Sequence, residues 1–330
     1  MNVHKILIVG YGSMGRRRIR LLTGLIGEAQ IIVVDLNKER LETASSQGYR
    51  IYDSLDEAID ERPDIAFVCT SPGHHAGIII PLISAGIHTF TELNLTSDRY
   101  DEMMNIAKEK DVILFMSSTM IYQKQMQIIK EYVDEIKMPL TYTYHVGQYL
   151  PDWHPWESYK DFFIGKKETN GVREILAIQL PWIIDVFGDV EHIYSETAHC
   201  TNLDIDFPDS IITLIRHKNG CIGTIVTDVV SRKPTTNLEI IGENLHLTWA
   251  GHNDDMLLFD IDNKEMEAVK IYDNEEHIEG YSDIIEEQPY RDEIKAFLRV
   301  IEGKEEPRYS LEKDLRILSI IDKIETDIIS

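Results

Sequence analysis

Short β-branched runs alternate with helical patterns over the first 118 residues, and this alternation restricts the possible folds more than any other feature of the chain. The predicted strands are Lys5–Val9, Ile31–Asp35, Ile65–Cys69, His88–Glu92 and Val112–Met116, and the predicted helices are Met14–Leu25, Lys38–Gln47, Leu55–Glu61, His75–Ala85 and Asp98–Lys110. Such alternation is typical of a doubly wound parallel sheet with helices on both faces. Ser54 with Glu57 predicts a capping box, and Gly86 predicts a helix end.

The pattern after residue 120 is that of a second domain. It comprises a helix over Ile121–Ile136, strand-like runs over Ile193–Cys200, Ser210–His217, Cys221–Val229, Leu238–Gly242, His246–Trp249 and Met256–Ile261, and closing helices over Gln288–Glu302 and Leu311–Ile328. Asn219-Gly220 and Glu243-Asn244 separate pairs of runs, as hairpin turns do. We therefore predict a doubly wound domain over 1–119 and an α/β domain with a large, mostly antiparallel open sheet over 120–330.

Composition excludes several classes of protein. The 330 residues carry 33 Lys and Arg against 57 Asp and Glu, a net charge of −24, which argues against nucleic acid or an anionic membrane as the main partner. Cys69, Cys200 and Cys221 lack a CxxC spacing, so neither a disulfide framework nor a zinc site is indicated. There is no apolar run of about 18 residues and no signal-peptide pattern, so we expect a cytoplasmic protein.

A glycine-rich turn follows the first predicted strand and opens a helix. Its sequence is Gly10-Tyr11-Gly12-Ser13-Met14-Gly15. Gly10 permits a tight turn, Gly12 lets the backbone approach a pyrophosphate, and Gly15 allows close packing of helix and strand. The free amides at the helix start favour an anionic diphosphate. The alternative is an ordinary glycine turn.

Asp35 ends the second predicted strand, twenty residues after Gly15, and completes the dinucleotide-binding pattern. A carboxylate there accepts hydrogen bonds from both ribose hydroxyls and repels a 2′-phosphate. The sequence therefore favours NAD over NADP, although Lys38 and Arg40 nearby are suited to a phosphate.

Four arginines lie in the first turns of the helix after the glycine turn, at positions 16, 17, 18 and 20. The helix macrodipole disfavours positive charge there. These side chains are expected to form a solvated helix face, and the alternative is that they hold the diphosphate or an acidic partner subunit.

Three further stretches carry a resemblance to a known family. They are Cys69-Thr70-Ser71-Pro72 followed by His75, Gly86-Ile87-His88-Thr89-Phe90-Thr91-Glu92, and Tyr290-Arg291-Asp292-Glu293 with Phe297. With the glycine turn, they resemble the Gfo/Idh/MocA family of NAD(P)-dependent oxidoreductases. The resemblance implies a Rossmann domain followed by a substrate-binding domain whose open sheet builds homodimers or homotetramers. It implies cofactor contacts by Gly10, Tyr11, Gly12, Ser13, Met14, Gly15, Asp35, Arg40, Cys69, Thr70, Ser71, Pro72, His75, Glu92 and Asn94.

The chain departs from the family where protons are handled. The usual Glu-Lys-Pro reads Glu92-Leu93-Asn94, and leucine has no titratable group. In the second signature, an Asp followed four residues later by a His, Glu174 takes the Asp position and Ile178 replaces the His. By this comparison, both usual proton-handling residues are absent.

Replacement candidates lie in a loop rich in Trp and Pro over residues 144–157. Its aromatic side chains are suited to stacking on a sugar ring. Because histidine titrates near neutral pH, His154 is the first candidate for the acid–base group, followed by His145 and Tyr149. Equally, the loop could be a rigid cover over the sheet. Glu174 could orient substrate, and Asp204, Asp206 and Asp209 lack a complete ligand set, so no metal is predicted.

The sequence therefore predicts an NAD-dependent oxidoreductase acting on a sugar or nucleotide-sugar hydroxyl or carbonyl in bacterial carbohydrate metabolism. One alternative is an NAD(H)-binding sensor or assembly protein without dehydrogenase activity. Another is transient oxidation during epimerisation or elimination, with NAD regenerated in each cycle.

Overall fold

A computed structural model describes residues 3–153, 158–271 and 287–326. The chain forms two compact units, Met1–Thr119 with Glu287–Arg316 and Met120–Glu286 with Ile317–Ser330. Residues 287–316, which the sequence places in the second domain, therefore pack with the first.

The strands are β1 Lys5–Val9, β2 Gln30–Val34, β3 Arg50–Tyr52, β4 Ile65–Val68, β5 His88–Thr91, β6 Leu114–Met116, β7 Thr141–Gly147, β8 Val190–Ala198, β9 Ser210–His217, β10 Ile222–Asp228, β11 Thr235–Gly242, β12 Leu245–Trp249, β13 Leu257–Asp260 and β14 Glu265–Ala268. The α-helices are α1 Ser13–Ile26, α2 Lys38–Ser46, α3 Leu55–Asp60, α4 His75–Ser84, α5 Tyr100–Lys110, α6 Lys124–Glu135, α7 Gly171–Phe187, α8 Glu287–Ile301 and α9 Leu311–Thr326. Within the described ranges, every helix is too short or too polar to span a membrane.

The first unit contains a parallel sheet of six strands in the order β3-β2-β1-β4-β5-β6. This confirms the predicted doubly wound sheet. The sequence analysis missed β3, because its three residues give too short a run to show a period of two. The strand order reverses between β1 and β4, where doubly wound sheets bind ligands at the carboxyl ends of their strands.

Four phenylalanines explain why α8 packs with the first unit. Phe67, Phe90 and Phe115 lie side by side on β4, β5 and β6. Phe297 of α8 approaches the three rings, with centroid distances of 5.5–5.6 Å. All four are fully buried. Because such clusters contribute through both buried area and ring geometry, α8 belongs to this core despite its position late in the chain.

The two predicted helix-end signals have different outcomes. Gly86 has φ +81°, a left-handed conformation that favours glycine, and it follows the end of α4 as predicted. Ser54 precedes α3, but its side chain makes no capping hydrogen bond. The predicted capping box is therefore wrong.

The second unit contains a sheet of eight strands in the order β14-β13-β12-β11-β7-β10-β9-β8. Among the described strands of this sheet, β7 and β10 alone pair in parallel, so the prediction of a mostly antiparallel sheet is confirmed. The sequence analysis missed β7, although it lies in the middle of the sheet, because residues 144–147 were assigned to the Trp-rich loop.

One face of this sheet packs on α7. The Tyr142 ring stacks on Phe187 with centroids 4.0 Å apart, and the Tyr144 hydroxyl donates to Gln179 Oε1 at 2.9 Å. Trp182 and Phe187 are buried in this core. The opposite face carries exposed apolar side chains, namely Tyr194, Ile212, Leu214 and Ile241.

Candidate cofactor site and acid–base residues

The glycine turn has the geometry that a dinucleotide-binding loop requires. Gly10 has φ +96°, and a Cβ there would lie 2.7 Å from the carbonyl oxygen of Cys69. A Cβ on Gly15 would lie 2.0 Å from the carbonyl oxygen of Gly10. Gly12 precedes α1 and has space around it, with the Arg40 guanidinium 3.9 Å from the position of a Cβ. Gly10 and Gly15 are thus demanded by the fold, whereas Gly12 leaves room at the helix start for a ligand.

Asp35 is fixed beside this turn. Its Oδ2 accepts a hydrogen bond of 2.7 Å from the backbone N–H of Tyr11, and its Oδ1 accepts one of 2.8 Å from that of Asn37. Each carboxylate oxygen has a second lone pair for a ribose hydroxyl. Arg40 lies 3.7 Å from the same carboxylate. The Tyr11 side chain is buried and donates to Gln47 at 2.8 Å, so only its backbone borders the turn.

The end of β4 lies next to the glycine turn. Thr70 is partly exposed there and Ser71 is exposed, whereas Pro72 and His75 are buried. His75 has both ring nitrogens in hydrogen bonds within the protein. Thr70 and Ser71 can therefore contact a cofactor directly. His75 lies beneath this edge and is bound to other residues of the protein.

Glu92, at the end of β5, is held by Arg18. The guanidinium binds both carboxylate oxygens at 2.6 and 3.1 Å, and it also binds Glu293 at 2.8 Å. The Arg18 side chain has no exposed surface. Burial is the largest single influence on the pKa of Arg18 and lowers it. The charges of Glu92 and Glu293 together outweigh burial, so the pKa is raised. The expectation of a solvated arginine face is wrong for Arg17 and Arg18, which are 4% and 0% exposed.

Glu174 is the acid–base candidate with a perturbed pKa. It lies in the first turn of α7 and is half-buried, and its carboxyl group makes no hydrogen bond or ion pair with any described residue. Burial alone raises its pKa to about 7. Ile178 lies four residues later on the same helix face and is also half-buried. An unpaired carboxyl group with a pKa near neutrality can either accept or donate a proton at physiological pH.

The start of α7 is firmly anchored, which fixes Glu174. Asn170 caps the helix by accepting from the backbone N–H of Arg173 at 2.8 Å, and it donates to Glu325 of α9 at 2.9 Å. The Arg173 guanidinium binds Asp322 at 2.7 Å and Glu325 at 2.5 Å.

His145 lies on the other face of the second sheet. Its neighbour Tyr144 points towards α7, and successive side chains of a strand point to opposite faces. Its Nε2 lies 2.7 Å from Asp228 Oδ2. Burial opposes ionisation of Asp228, but the hydrogen bonds from His145, Val230 and Ser231 outweigh it and lower the pKa. The structure therefore does not bring His145 and Glu174 together.

The described part of the Trp-rich loop packs on the sheet. Tyr149 donates its backbone N–H to Ser231 at 2.8 Å, and the Arg232 guanidinium lies 3.6 Å from the centre of its ring. The Trp153 indole donates to the carbonyl of Gln148 at 3.0 Å. His154, the first acid–base candidate from the sequence, lies outside the described residues and stays a prediction.

The match to a family sequence model covers the glycine turn, Asp35 and the ends of β4 and β5. Residues 4–118 match the model of the Gfo/Idh/MocA group, described as an oxidoreductase family with an NAD-binding Rossmann fold. Over these residues the chain is similar to the Gfo/Idh/MocA family. The match confirms NAD as the cofactor of that domain. A curated relative, inositol 2-dehydrogenase of Leifsonia xyli subsp. xyli, is 28% identical over 109 residues, which span 32% of this chain and 32% of that enzyme.

Solved structures share the fold over both domains of this protein. The WlbA dehydrogenase of Bordetella pertussis, in complex with NADH and UDP-GlcNAcA, has a TM-score of 0.76 and 17% identity, covering 98% of this chain and 95% of that one. An oxidoreductase of Agrobacterium radiobacter, in complex with NAD⁺, L-tartaric acid and magnesium, has a TM-score of 0.81 and 14% identity over the same shares. UDP-N-acetylglucosamine 3-dehydrogenase of Acidithiobacillus ferrooxidans has a TM-score of 0.75 and 14% identity, covering 98% and 97%.

Proposed function

We propose that this protein is an NAD-dependent oxidoreductase that acts on a hydroxyl or carbonyl group of a sugar or nucleotide sugar in bacterial carbohydrate metabolism. The observation that carries the proposal is the glycine turn closed onto Asp35, within a domain of a family that binds NAD. The turn leaves Gly12 open for a diphosphate, and the Asp35 carboxylate is oriented by two backbone amides. NAD supplies the hydride acceptor or donor when it is bound.

Oxidation of a carbinol also requires a group that takes the hydroxyl proton. Leu93 and Ile178 cannot do so, whereas Glu174 has a pKa of about 7 and, among the residues that the structure describes, no partner that competes for its carboxylate. We assign proton transfer to Glu174. In the oxidising direction the carboxylate form is active, so the rate rises as pH increases through about 7. In the reducing direction the protonated form is active, so the rate falls over the same interval.

His145, Tyr149 and His154 remain the alternatives for this step. His145 is bound to Asp228, on the sheet face opposite α7, which favours Glu174 over it. Comparison of Glu174→Gln, His145→Asn and His154→Ala separates the candidates. We expect only Glu174→Gln to lower kcat by two orders of magnitude or more, the usual range for loss of a general base.

Three observations support a sugar-type substrate. The WlbA neighbour binds UDP-GlcNAcA, and the curated relative is an inositol dehydrogenase. The partly exposed Trp153 beside the start of α7 offers an aromatic surface of the kind that stacks on sugar rings. No nucleic-acid or membrane partner is proposed, in keeping with the strongly acidic composition.

The test is an absorbance assay of nicotinamide reduction with a panel of sugars and UDP-sugars, preceded by calorimetry with NADH and NADPH. We expect NADH to bind more tightly than NADPH, because Asp35 repels a 2′-phosphate. Asp35→Ala should weaken NADH binding and reduce this preference, while Asp53→Ala, at an exposed position, should change neither. Turnover of no sugar, despite NADH binding, would contradict the proposal.

A second candidate function is that of an NAD(H)-binding sensor or assembly protein without dehydrogenase activity. The side chains at positions 93 and 178 favour it, since both are partly exposed and neither titrates. It predicts NADH binding without turnover and a partner protein whose affinity changes with the redox state of the nicotinamide. A third candidate, transient oxidation during epimerisation or elimination, predicts NAD that never dissociates and deuterium exchange at one sugar carbon.

We also propose assembly through the open face of the second sheet as a homodimer or homotetramer. Tyr194, Ile212, Leu214 and Ile241 are 43–55% exposed on that face. Large apolar side chains exposed on one sheet face are typical of association surfaces.

A further inference from the structure

Asn94, which follows the end of β5 where the family has proline, is buried and uses both ends of its side-chain amide. It is 2% exposed. Its Oδ1 is in short contact with Nδ1 of His75, and its Nδ2 donates to the Tyr100 hydroxyl at 2.8 Å. A buried amide that is satisfied at both ends fixes the segments that it joins, because releasing either end leaves a polar group without a partner.

The contacts continue in both directions through buried groups. The Tyr100 hydroxyl donates to Asp314 of α9 at 2.5 Å, and Tyr309 donates to the other oxygen of the same carboxylate at 2.7 Å. At the opposite end, Nε2 of His75 donates to the carbonyl of Thr70 at 2.9 Å. The five side chains from His75 to Asp314 are at most 3% exposed. One chain of hydrogen bonds therefore runs from the end of β4 to α9.

This chain ends at the edge where the cofactor binds. Thr70 borders the glycine turn, since a Cβ on Gly10 would lie 3.1 Å from its methyl group. Asn94 also holds one end of the segment 92–94, whose other end is held by the ion pair between Glu92 and Arg18. Leu93 lies between these two anchors. Glu92 and Leu93 are partly exposed, whereas Asn94 is buried.

The protons in this chain of hydrogen bonds can be arranged in two ways, and Asn94 links His75 to Tyr100 in both. A carbonyl oxygen only accepts, so His75 carries a proton on Nε2. If Nδ1 also donates, His75 is an imidazolium and Asp314 the balancing carboxylate. If Nδ1 of a neutral His75 instead accepts, the flipped Asn94 amide donates to it, Asn94 Oδ1 accepts from the Tyr100 hydroxyl, and Asp314 carries a proton taken from solvent and donates it to that hydroxyl, so both ends are neutral. Burial lowers the pKa of His75, which favours the neutral arrangement.

We infer that Asn94 is a positioning residue for the cofactor: by joining His75 to Tyr100 and Asp314, it holds Thr70 and the segment 92–94 in the geometry that NAD binding requires. The inference rests on the NAD site of the proposed function but is independent of the substrate and of Glu174. It explains how this chain keeps the loop after β5 in place with an asparagine at the family's proline position.

The test is calorimetric titration of the full-length protein with NADH. We expect Asn94→Ala to raise the Kd about tenfold, about 1.4 kcal/mol. Tyr100→Phe, which removes one hydroxyl and little volume, should raise it about fivefold, the equivalent of one neutral hydrogen bond. The double variant should bind as weakly as Asn94→Ala alone, because both changes break one chain. Asn105→Ala, at an exposed position of α5, is the matched control and should bind as the wild type does.

Two further readouts distinguish positioning from stability alone. Melting temperatures identify the variants that remain folded at the titration temperature. If Asn94 had a purely structural role, the Kd for NADH of such a folded variant would be unchanged. The ¹⁵N shifts of the His75 ring should change in Asn94→Ala and stay unchanged in Asn105→Ala. Wild-type affinity in folded Asn94→Ala, or additive effects of Asn94→Ala and Tyr100→Phe, would overturn the inference. Absence of NADH binding by the wild-type protein would instead overturn the cofactor assignment itself.

Discussion

Arg18 and Glu293 form an ion pair of 2.8 Å in which neither side chain is exposed, although 275 residues separate them along the chain. Arg18 also binds Glu92, and Glu293 accepts further hydrogen bonds from the Ser117 hydroxyl at 3.0 Å and the backbone N–H of Ser118 at 2.7 Å. The pair joins α1 to α8 directly beneath the cofactor edge. A buried charge is tolerated there only because each partner is saturated with hydrogen bonds.

Removing Arg18 should therefore be severely destabilising. Arg18→Met leaves two glutamates without their shared cation, and loss of one partner of a buried pair costs about 3–5 kcal/mol. Urea unfolding followed by circular dichroism measures the change. Arg99→Met is the matched control, because its pair with Glu102 is about half exposed and such pairs are worth less than about 1 kcal/mol. Equal losses of unfolding free energy in the two variants would show that the buried ion pair contributes no more stability than the exposed one.

Gly12→Ala separates the demands of the fold from those of the ligand. Gly12 has φ −75°, and the atom nearest to the position of a Cβ is the Arg40 guanidinium at 3.9 Å, so the folded protein should accept the methyl group with a change in stability within about 0.5 kcal/mol. A bound diphosphate needs the same space. We expect NADH binding to weaken by at least about tenfold, measured by fluorescence titration.

Gly77→Ala is the control for this change. It lies in α4 with nothing within 4 Å of the position of a Cβ, so it should leave NADH binding unaltered and stabilise the helix by up to about 1 kcal/mol. Tight NADH binding by Gly12→Ala would mean that the diphosphate does not approach this turn.

Glu174→Gln should lower activity and raise stability at alkaline pH. The folded pKa of about 7 lies above the ordinary glutamate value of 4.5, so the favourable contribution of Glu174 is fully present below pH 4.5 and is lost as pH rises through 7. Glutamine has no such loss. At pH 8 the variant should exceed the wild type by up to a few kcal/mol, at about 1.4 kcal/mol per pKa unit, and the difference should disappear near pH 4.5.

Urea unfolding at several pH values tests this pH-dependent difference in stability between the variant and the wild type. Glu168→Gln, an exposed change just before α7, should show no pH-dependent difference from the wild type. A Glu174→Gln variant with wild-type stability at pH 8 would indicate that the carboxyl group is as well solvated in the folded chain as in the unfolded one.

Ile212→Asp should disrupt the proposed assembly. Ile212 is 52% exposed in the open face of the second sheet, and a carboxylate there would lose its hydration when two copies associate. Light scattering after size-exclusion chromatography should show a smaller particle than the wild type. Ile261→Asp, 56% exposed in the turn between β13 and β14, should leave the mass unchanged. A wild-type protein that is monomeric at micromolar concentration would refute assembly through this face.

The sequence predicted the features that depend on local spacing. The glycine turn, Asp35 and the alternation of strands and helices define the first sheet, because periods of 2 and 3.6 residues and turn glycines are legible over a few neighbouring residues. The hairpins between β9 and β10 and between β11 and β12 were predicted for the same reason. β7 was missed since its alternation of Thr and Tyr runs directly into a loop with a similar content of aromatic residues.

Other features were settled only by tertiary structure. A run of arginines typical of a solvated face contains Arg18, which is fully buried because two glutamates and two aromatic rings from distant segments surround it. The roles of Asn94 and Asp314, and the packing of α8 with the first unit, depend likewise on contacts between residues far apart in the chain. The pKa of Glu174 follows from how much water the surrounding side chains displace, which spacing along a sequence does not encode. By itself, the sequence determined the Rossmann domain and its nucleotide. Three-dimensional packing decided which charges are buried and which carboxyl group is poised to move a proton, because desolvation and ion pairing act between groups that only folding brings together.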